Sequence, residues 1–335
     1  KTFLNYLMLL ILICFNFSKQ TYSQGSSASI FVYHRFGENK YPSTNIKIKQ
    51  FEAHINEILN NNYNVLPIDK IIDYLVNGKE LPPKTIGITI DDAFKSIYKK
   101  AWPRLKAAGL PFTVFVSTGP IDANSKNYMN WNEIKNLRDS GVLIGHHTVR
   151  HMHLVNQDDE TIDGEIENAS NSFKKNLGYV PNIFSYPYGE YSLKIKNLIK
   201  EKKFKAAFGQ HSGVLFDGID IFELPRFGMN ETYGNIDRFK FAANAHGLKV
   251  KEITPKDIVI KNINPPLMGF TLIDELEGNL RCYPSHNIKA NLQKLGKVRY
   301  EIRFDQEFPK GRTRVNCTIN DKGKWRWYGI QFYRP

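Results

Sequence analysis

Cysteine is scarce in this 335-residue chain: Cys14, Cys282 and Cys317 are the whole set, and none sits in a paired-cysteine motif. That excludes a cysteine-built zinc module. His-Glu-x-x-His is absent too, so the usual metal site and base of a metalloprotease are missing. Internal repeats and low-complexity segments are lacking. Long apolar runs are confined to the N-terminus, where the stretch up to Phe17 is short for a membrane span. Acidic residues are outnumbered, 33 against 46 basic ones, for a net charge of +13. Such a balance favours anionic partners, although a lysine-rich proteome would produce it as well.

What is present begins with Lys1 ahead of the apolar run, followed by the polar stretch Ser18 to Ser27. This has the shape of a secretory signal with a cut near Ser23, an uncleaved anchor being the alternative. No small residue precedes Cys14, so lipid attachment is not expected there. Residues 1–27 are thus read as signal peptide or anchor. The mature chain is read as exported, periplasmic or secreted, without a transmembrane domain. Cys282 and Cys317 then form an even pair, which predicts a disulfide, the alternative being two buried thiols. Nucleic acid is not an expected partner, because only net charge supports it.

Residues 28–246 alternate short apolar strands with amphipathic helices. The strands are expected at Ser29–Tyr33, Thr85–Ile90, Phe112–Ser117, Val142–Gly145, Ile183–Tyr186, Lys205–Phe208 and Phe222–Phe227. Alternation implies a parallel α/β sheet, open or closed into a barrel, with functional residues at the C-terminal strand ends. Residues 247–335 read differently, as short strands joined by glycine, proline and asparagine turns with no helix of any length. From Lys251 to Pro335 basic residues outnumber acidic ones 16 to 9. This predicts a small, basic all-β domain closed by Cys282–Cys317.

Two stretches carry chemistry. "IGITIDDAF", Ile86–Phe94, runs as a buried strand into Asp91 and Asp92. "GVLIGHHTVRHMHL", Gly141–Leu154, holds four of the nine histidines. His147 and His151 stand i, i+4, which would put both imidazoles on one face if the chain turns helical after Gly145. Two histidines and a carboxylate suit zinc, and a catalytic site leaves a position open. A histidine-rich surface loop and a helix-capping Asp92 are the plainer readings. Parallel strands bring the two stretches together, which favours ligation; His146 and His153 are left out of the ligand set.

"TIDDAF" followed by "HHTVRH" resembles the NodB-type polysaccharide deacetylases, whose first motifs are Thr-Phe-Asp-Asp-Gly and His-(Ser/Thr)-x-x-His. "FSYPYGEY", Phe184–Tyr191, is similar to their third motif, Arg-x-Pro-Tyr-Gly. "YHRFG", Tyr33–Gly37, resembles the subgroup acting on exopolysaccharides of N-acetylglucosamine. The resemblance spans residues 30–227 and implies a distorted (β/α) barrel with fewer than eight regular repeats. It implies a metal-dependent hydrolase that removes N-acetyl groups from N-acetylglucosamine-containing polysaccharide. Asp92, His147 and His151 match the metal ligands, zinc foremost, and Asp91 the general base. Thr148 matches a residue that shapes the loop, and Pro187 and Tyr188 the third motif, with the Tyr188 backbone N–H on the oxyanion. Implied partners are N-acetylated glycans, with anionic envelope components suggested by charge.

Two positions depart from the pattern. Ser185 replaces the third-motif arginine, and no Leu-x-His-type histidine lies between Phe227 and Gly247; His246 has the wrong context. Arg226, grouped here with the substrate-facing residues, would restore the positive charge near Asp91. His34, at the end of the first strand, is the candidate general acid, a structural hydrogen bond being its alternative. Tyr186, Tyr188 and Tyr191 are a candidate sugar platform whose alternative, the commoner one at strand ends, is packing, and Trp131 is a candidate groove residue whose alternative is packing at a helix start. Trp325 and Trp327 are expected in the core of the small domain, glycan binding by the exposed face of their strand being the alternative. The two departures support a second reading, a catalytically impaired glycan-binding protein on the same fold.

Overall fold

A computed structural model describes residues 27–335; the expected leader lies outside the described residues apart from Ser27, which opens the first strand. Seven strands organise the first part: β1 Ser27–Tyr33, β2 Thr85–Asp91, β3 Thr113–Val116, β4 Leu143–His146, β5 Ile183–Ser185, β6 Ala206–Phe208 and β7 Phe227–Gly228. They are apolar on both faces, as strands covered by helices must be. Strands β1 to β6 lie side by side in parallel, in the order β1-β2-β3-β4-β5-β6. The sheet curls, and one segment touches both of its edges. Leu224 bridges to Phe208 of β6, and three residues later Phe227 pairs with Phe31 of β1. The strands thus make a distorted barrel with fewer than eight regular repeats, as the resemblance implies.

Helices on the outside follow from local chemistry. The longest, Asp159–Leu177, starts at Asp158, whose carboxylate accepts from the Thr161 N–H. It ends at Gly178, which takes the left-handed φ of 83° that glycine adopts without penalty. Trp131–Asp139 starts in a capping box of Asn130 and Glu133. In the segment after Asp92, Ile97–Ala101 is a π-helical turn that leads into Trp102–Ala107. Pro103 lacks the N–H an α-turn would need from it, so it falls at the start of the α-helical part.

After His246 no helix occurs among the described residues. Seven strands follow: β8 Val250–Thr254, β9 Met268–Leu272, β10 Arg281–Pro284, β11 Ala290–Leu295, β12 Arg299–Phe304, β13 Gly311–Asp321 and β14 Lys324–Arg334. They form two four-stranded sheets, the pair His246–Gly247 adding to the β14 edge of one. Phe270 of one sheet meets Tyr328 of the other at 5.5 Å between ring centroids. Strand β11 was not anticipated; it is an edge strand, mostly exposed and polar, so no apolar alternation marks it. Cys282 and Cys317 are bonded and stand directly opposite each other on β10 and β13.

One hydrophobic cluster runs through both parts. It joins Tyr186, Tyr191 and Ile195 of the barrel to Val250, Ile258 and Phe332 beyond it. Trp327 is not in the core of the C-terminal sheets, as expected above, but packs on Phe227 and Phe241 of the barrel. Trp325 is 43% exposed beside Phe241. No helix among the described residues is long and apolar enough to cross a membrane.

Candidate active site

Strand register sets the site. Asp91 ends β2, His146 ends β4 and Ser185 ends β5, all at the C-terminal rim of the parallel sheet. Beyond the strand ends the chain turns sharply. Asp92 and Ala93 take φ of 77° and 63°, and Thr148 and His151 take 66° and 55°. A non-glycine residue in that region costs roughly 1–2 kcal/mol. The segment after Gly145 is therefore a loop, not the helical turn expected, and the two histidines meet by left-handed bends. Glu165 holds this loop: its buried carboxylate accepts from the Val149 and Arg150 N–H groups and from the Arg150 side chain. Gly145 matters here as well. A Cβ there would lie 2.3 Å from the Phe115 ring, so only glycine lets that ring lie against β4.

The loops bring three ligand atoms together. Asp92 Oδ1 is 3.5 Å from His147 Nε2 and 3.4 Å from His151 Nε2. Those atoms are buried and have no hydrogen-bond partner. Two donors bound at zinc-like distances of about 2.1 Å and a tetrahedral angle stand roughly 3.4 Å apart. The separations thus fit a shared ion and exceed an ordinary hydrogen bond. His147 Nδ1–H donates to the Ser185 carbonyl at 2.7 Å, which leaves Nε2 with its lone pair toward the other two ligands. Buried polar atoms without partners are costly, and a divalent ion held between these three would remove that cost. Asp92, His147 and His151 can hold a metal.

Asp91 stands beside them, its Oδ2 3.9 Å from His147 Nε2. It is fully buried and bound bidentately by Arg226, each guanidinium NH2 group donating to one carboxylate oxygen at 2.8 Å. Burial alone would push the Asp91 carboxyl up; Arg226 and His147 overcome this and hold it below its usual range. Arg226 also donates to Ser185 Oγ, Thr89 Oγ1 and the Gly209 carbonyl, above the rings of Phe115 and Phe208. Ser185 is small enough to leave room for it. Arg226 has no exposed surface, so its grouping with substrate-facing residues is corrected: it meets Asp91, not a ligand.

His34 directly follows β1 and is half-buried, its Nε2 lying 3.4 Å from Gln210 Nε2. Burial lowers its pKa, while the Asp92 and Asp91 carboxylates oppose that shift, which places it within their field. Tyr188 sets its ring edge-on to His151 at 4.4 Å. Pro187–Gly189 is a single 3-10 turn in which Tyr188 takes φ 58° and ψ 6°. The turn uses the N–H groups of Gly189 and Glu190 and leaves that of Tyr188 without an acceptor inside it. Pro187 is buried at its start.

Two candidate substrate residues are corrected. Tyr186 is fully buried among Phe184 and Tyr191 and donates its hydroxyl to the Phe222 carbonyl, so it is core. Tyr191 is buried with it. Trp131 packs edge-on to Phe173 and donates its indole N–H to Asp122, between helices rather than over the ligands. Residues not anticipated include Glu165, Glu190, Arg312 and Gln331. Glu165 was visible as an acid on the apolar stripe of Ile162, Ile166 and Ala169. Gln331 lies within a run of five buried residues near the end of β14.

Comparison with known proteins agrees with this fold. The polysaccharide deacetylase family matches residues 78–207. The Bacillus subtilis (strain 168) protein YxkH is 27% identical over 163 residues, 49% of this chain and 57% of its own length. The poly-beta-1,6-N-acetyl-D-glucosamine N-deacetylase of Staphylococcus aureus (strain MRSA252) is 22% identical over 210 residues, 58% of this chain and 71% of its own. Among solved structures, Streptococcus pyogenes deacetylase PplD in complex with acetate has a TM-score of 0.60 at 18% identity, covering 65% of this chain and 99% of its own. IcaB from Ammonifex degensii has a TM-score of 0.57 at 23% identity, covering 66% and 99%. At these identities the structural likeness shows the fold.

Proposed function

We propose, from the premise that this chain belongs to the NodB-type polysaccharide deacetylases near the exopolysaccharide enzymes, that it hydrolyses N-acetyl groups of an N-acetylglucosamine polymer outside the cytoplasm. The observation that carries this reading is the meeting of Asp92, His147 and His151, with their three ligand atoms buried and unpartnered, beside a carboxylate fixed by Arg226. Those three residues would hold a divalent ion, zinc by the character of the donors. Such an ion supplies Lewis acidity toward water and toward an amide carbonyl.

The chain's own residues do the rest. Asp91, kept ionised by Arg226, takes the proton from the attacking water. The N–H of Tyr188 stabilises the oxygen that becomes negative as the carbonyl carbon turns tetrahedral. An amine leaves only when protonated, and His34, within the field of Asp92 and Asp91, carries that proton. The pair of Cys282 and Cys317 supports an oxidising location.

The test is acetate release from a chito-oligosaccharide and from a β-1,6-linked N-acetylglucosamine oligomer, with zinc or cobalt added. Release by the wild type that falls at least about a hundredfold in Asp91→Asn supports hydrolysis. A wild type that binds the oligomer and releases no acetate would favour the glycan-binding reading, for which the absent late histidine speaks.

A further inference from the structure

The turn that carries Tyr188 is not held by the barrel alone. Gln331, on β14, is 1% exposed, and its amide nitrogen donates to the Tyr188 carbonyl at 3.2 Å and to the Gly189 carbonyl at 3.1 Å. Its amide oxygen accepts from Arg314 Nε at 3.1 Å, so the side chain has one orientation and no spare donor. Arg312, on β13, reaches the same Tyr188 carbonyl at 3.4 Å and sets its guanidinium 5.6 Å from the centre of the Tyr188 ring. Its Nε also makes an ion-pair contact with Glu190 Oε1 at 3.4 Å.

From below, Glu190 accepts from His153 Nδ1 at 2.7 Å, and the His153 ring stacks on Tyr188 at 3.9 Å with an interplanar angle of 6°. Gly189 presses on Gln210 so closely that a Cβ would lie 2.2 Å from its backbone nitrogen. The turn is thus fixed on all sides in a left-handed shape that Tyr188 would not choose alone. Two of those fixings come from strands outside residues 78–207, the family match.

We propose that the C-terminal sheet is a working part of the active site. Gln331 and Arg312 are positioning residues that hold the Tyr188–Gly189 backbone and thereby aim the Tyr188 N–H at the forming oxyanion. The inference rests on the deacetylase reading for its catalytic consequence, though not for the clamp itself. A peptide N–H stabilises a developing charge only within hydrogen-bond range of where that charge will lie. A displacement of about 1 Å costs on the order of a hundredfold in rate.

The test uses the full chain with zinc and two variants, Gln331→Met and Arg312→Met, beside a control on an exposed face, Tyr283→Ser. Three quantities are read: kcat and KM for acetate release, bound zinc, and hydrogen exchange of the Gly189 and Glu190 amides. In both variants kcat should fall roughly tenfold to a hundredfold while KM stays within about twofold and zinc content is unchanged. Exchange at Gly189 and Glu190 should quicken at least about tenfold, and the control should match the wild type. Unchanged kcat in both variants overturns the proposal, as does unchanged exchange. If Gln331→Met does not fold, Arg312→Met decides, because its side chain is 36% exposed. A wild type that releases no acetate defeats the deacetylase reading instead, and the exchange measurement still decides the clamp.

Discussion

Replacing Arg226 with methionine should leave Asp91 as a buried carboxylate with no counter-charge. Both side chains are fully buried, and the guanidinium makes two 2.8 Å bonds to Asp91 together with bonds to Ser185, Thr89 and Gly209. Removing one partner of such a pair costs about 3–5 kcal/mol. That is a large share of the roughly 5–15 kcal/mol that holds a protein folded. Asp91→Asn leaves the opposite charge stranded and should cost a comparable amount. The double variant strands neither, so its loss should be far smaller than the sum, with a coupling of at least about 2 kcal/mol. Urea unfolding at 25 °C, in chelator to keep metal binding out of the balance, gives the four free energies from midpoints and slopes. Additivity within about 0.5 kcal/mol would refute the buried pair. So would an Arg226→Met protein as stable as wild type whose KM alone rises, since that arginine would then be facing substrate.

The remaining expectations concern acid, metal and the disulfide. His54 donates Nε2–H to the Gly234 carbonyl and accepts the Tyr33 hydroxyl at Nδ1, and burial brings its pKa down to about 4. A histidine with a depressed pKa gives stability that is complete above about pH 6.5 and is lost as pH falls toward 4. His54→Gln should therefore shrink the stability difference between pH 7 and pH 4.5 by about 2.5 kcal/mol, read from urea midpoints. Zinc at about 100 times its Kd should stabilise the wild type by about 2.7 kcal/mol in thermal unfolding, and Asp92→Ala should abolish both that gain and bound zinc. Cys282 and Cys317 are 35 residues apart, and replacing both by serine should cost about 4 kcal/mol, measured against the oxidised wild type.

Much of this site was written in strand patterning. "IGITIDDAF" and "GVLIGHH" each end an apolar run in ligand-type residues, and parallel pairing puts such ends on one rim. Period and composition say nothing about bends, however. The left-handed turns at Asp92, Thr148 and His151 decide that the ligands converge, and none of these residues is a glycine that would announce it. Arg226 could be suspected from the serine at 185, but its burial could not, since arginine is ordinarily exposed. Tyr186 misled because an aromatic at a strand end reads alike whether it packs inward or faces a sugar. Gln331 was beyond reach, for its partners are backbone carbonyls some 140 residues away.

The segment 224–228 zips the last strand of the barrel to the first, and Arg226 rides on it. Cylinder closure and the pairing of Asp91 with its cation are consequently one event. A chain whose two sheet edges have not met lacks the cation beside Asp91, however well its ligand loops have formed. Loosening at that seam, by heat, denaturant or a mutation anywhere along it, would strip Asp91 of its counter-charge while Asp92, His147 and His151 still stood together.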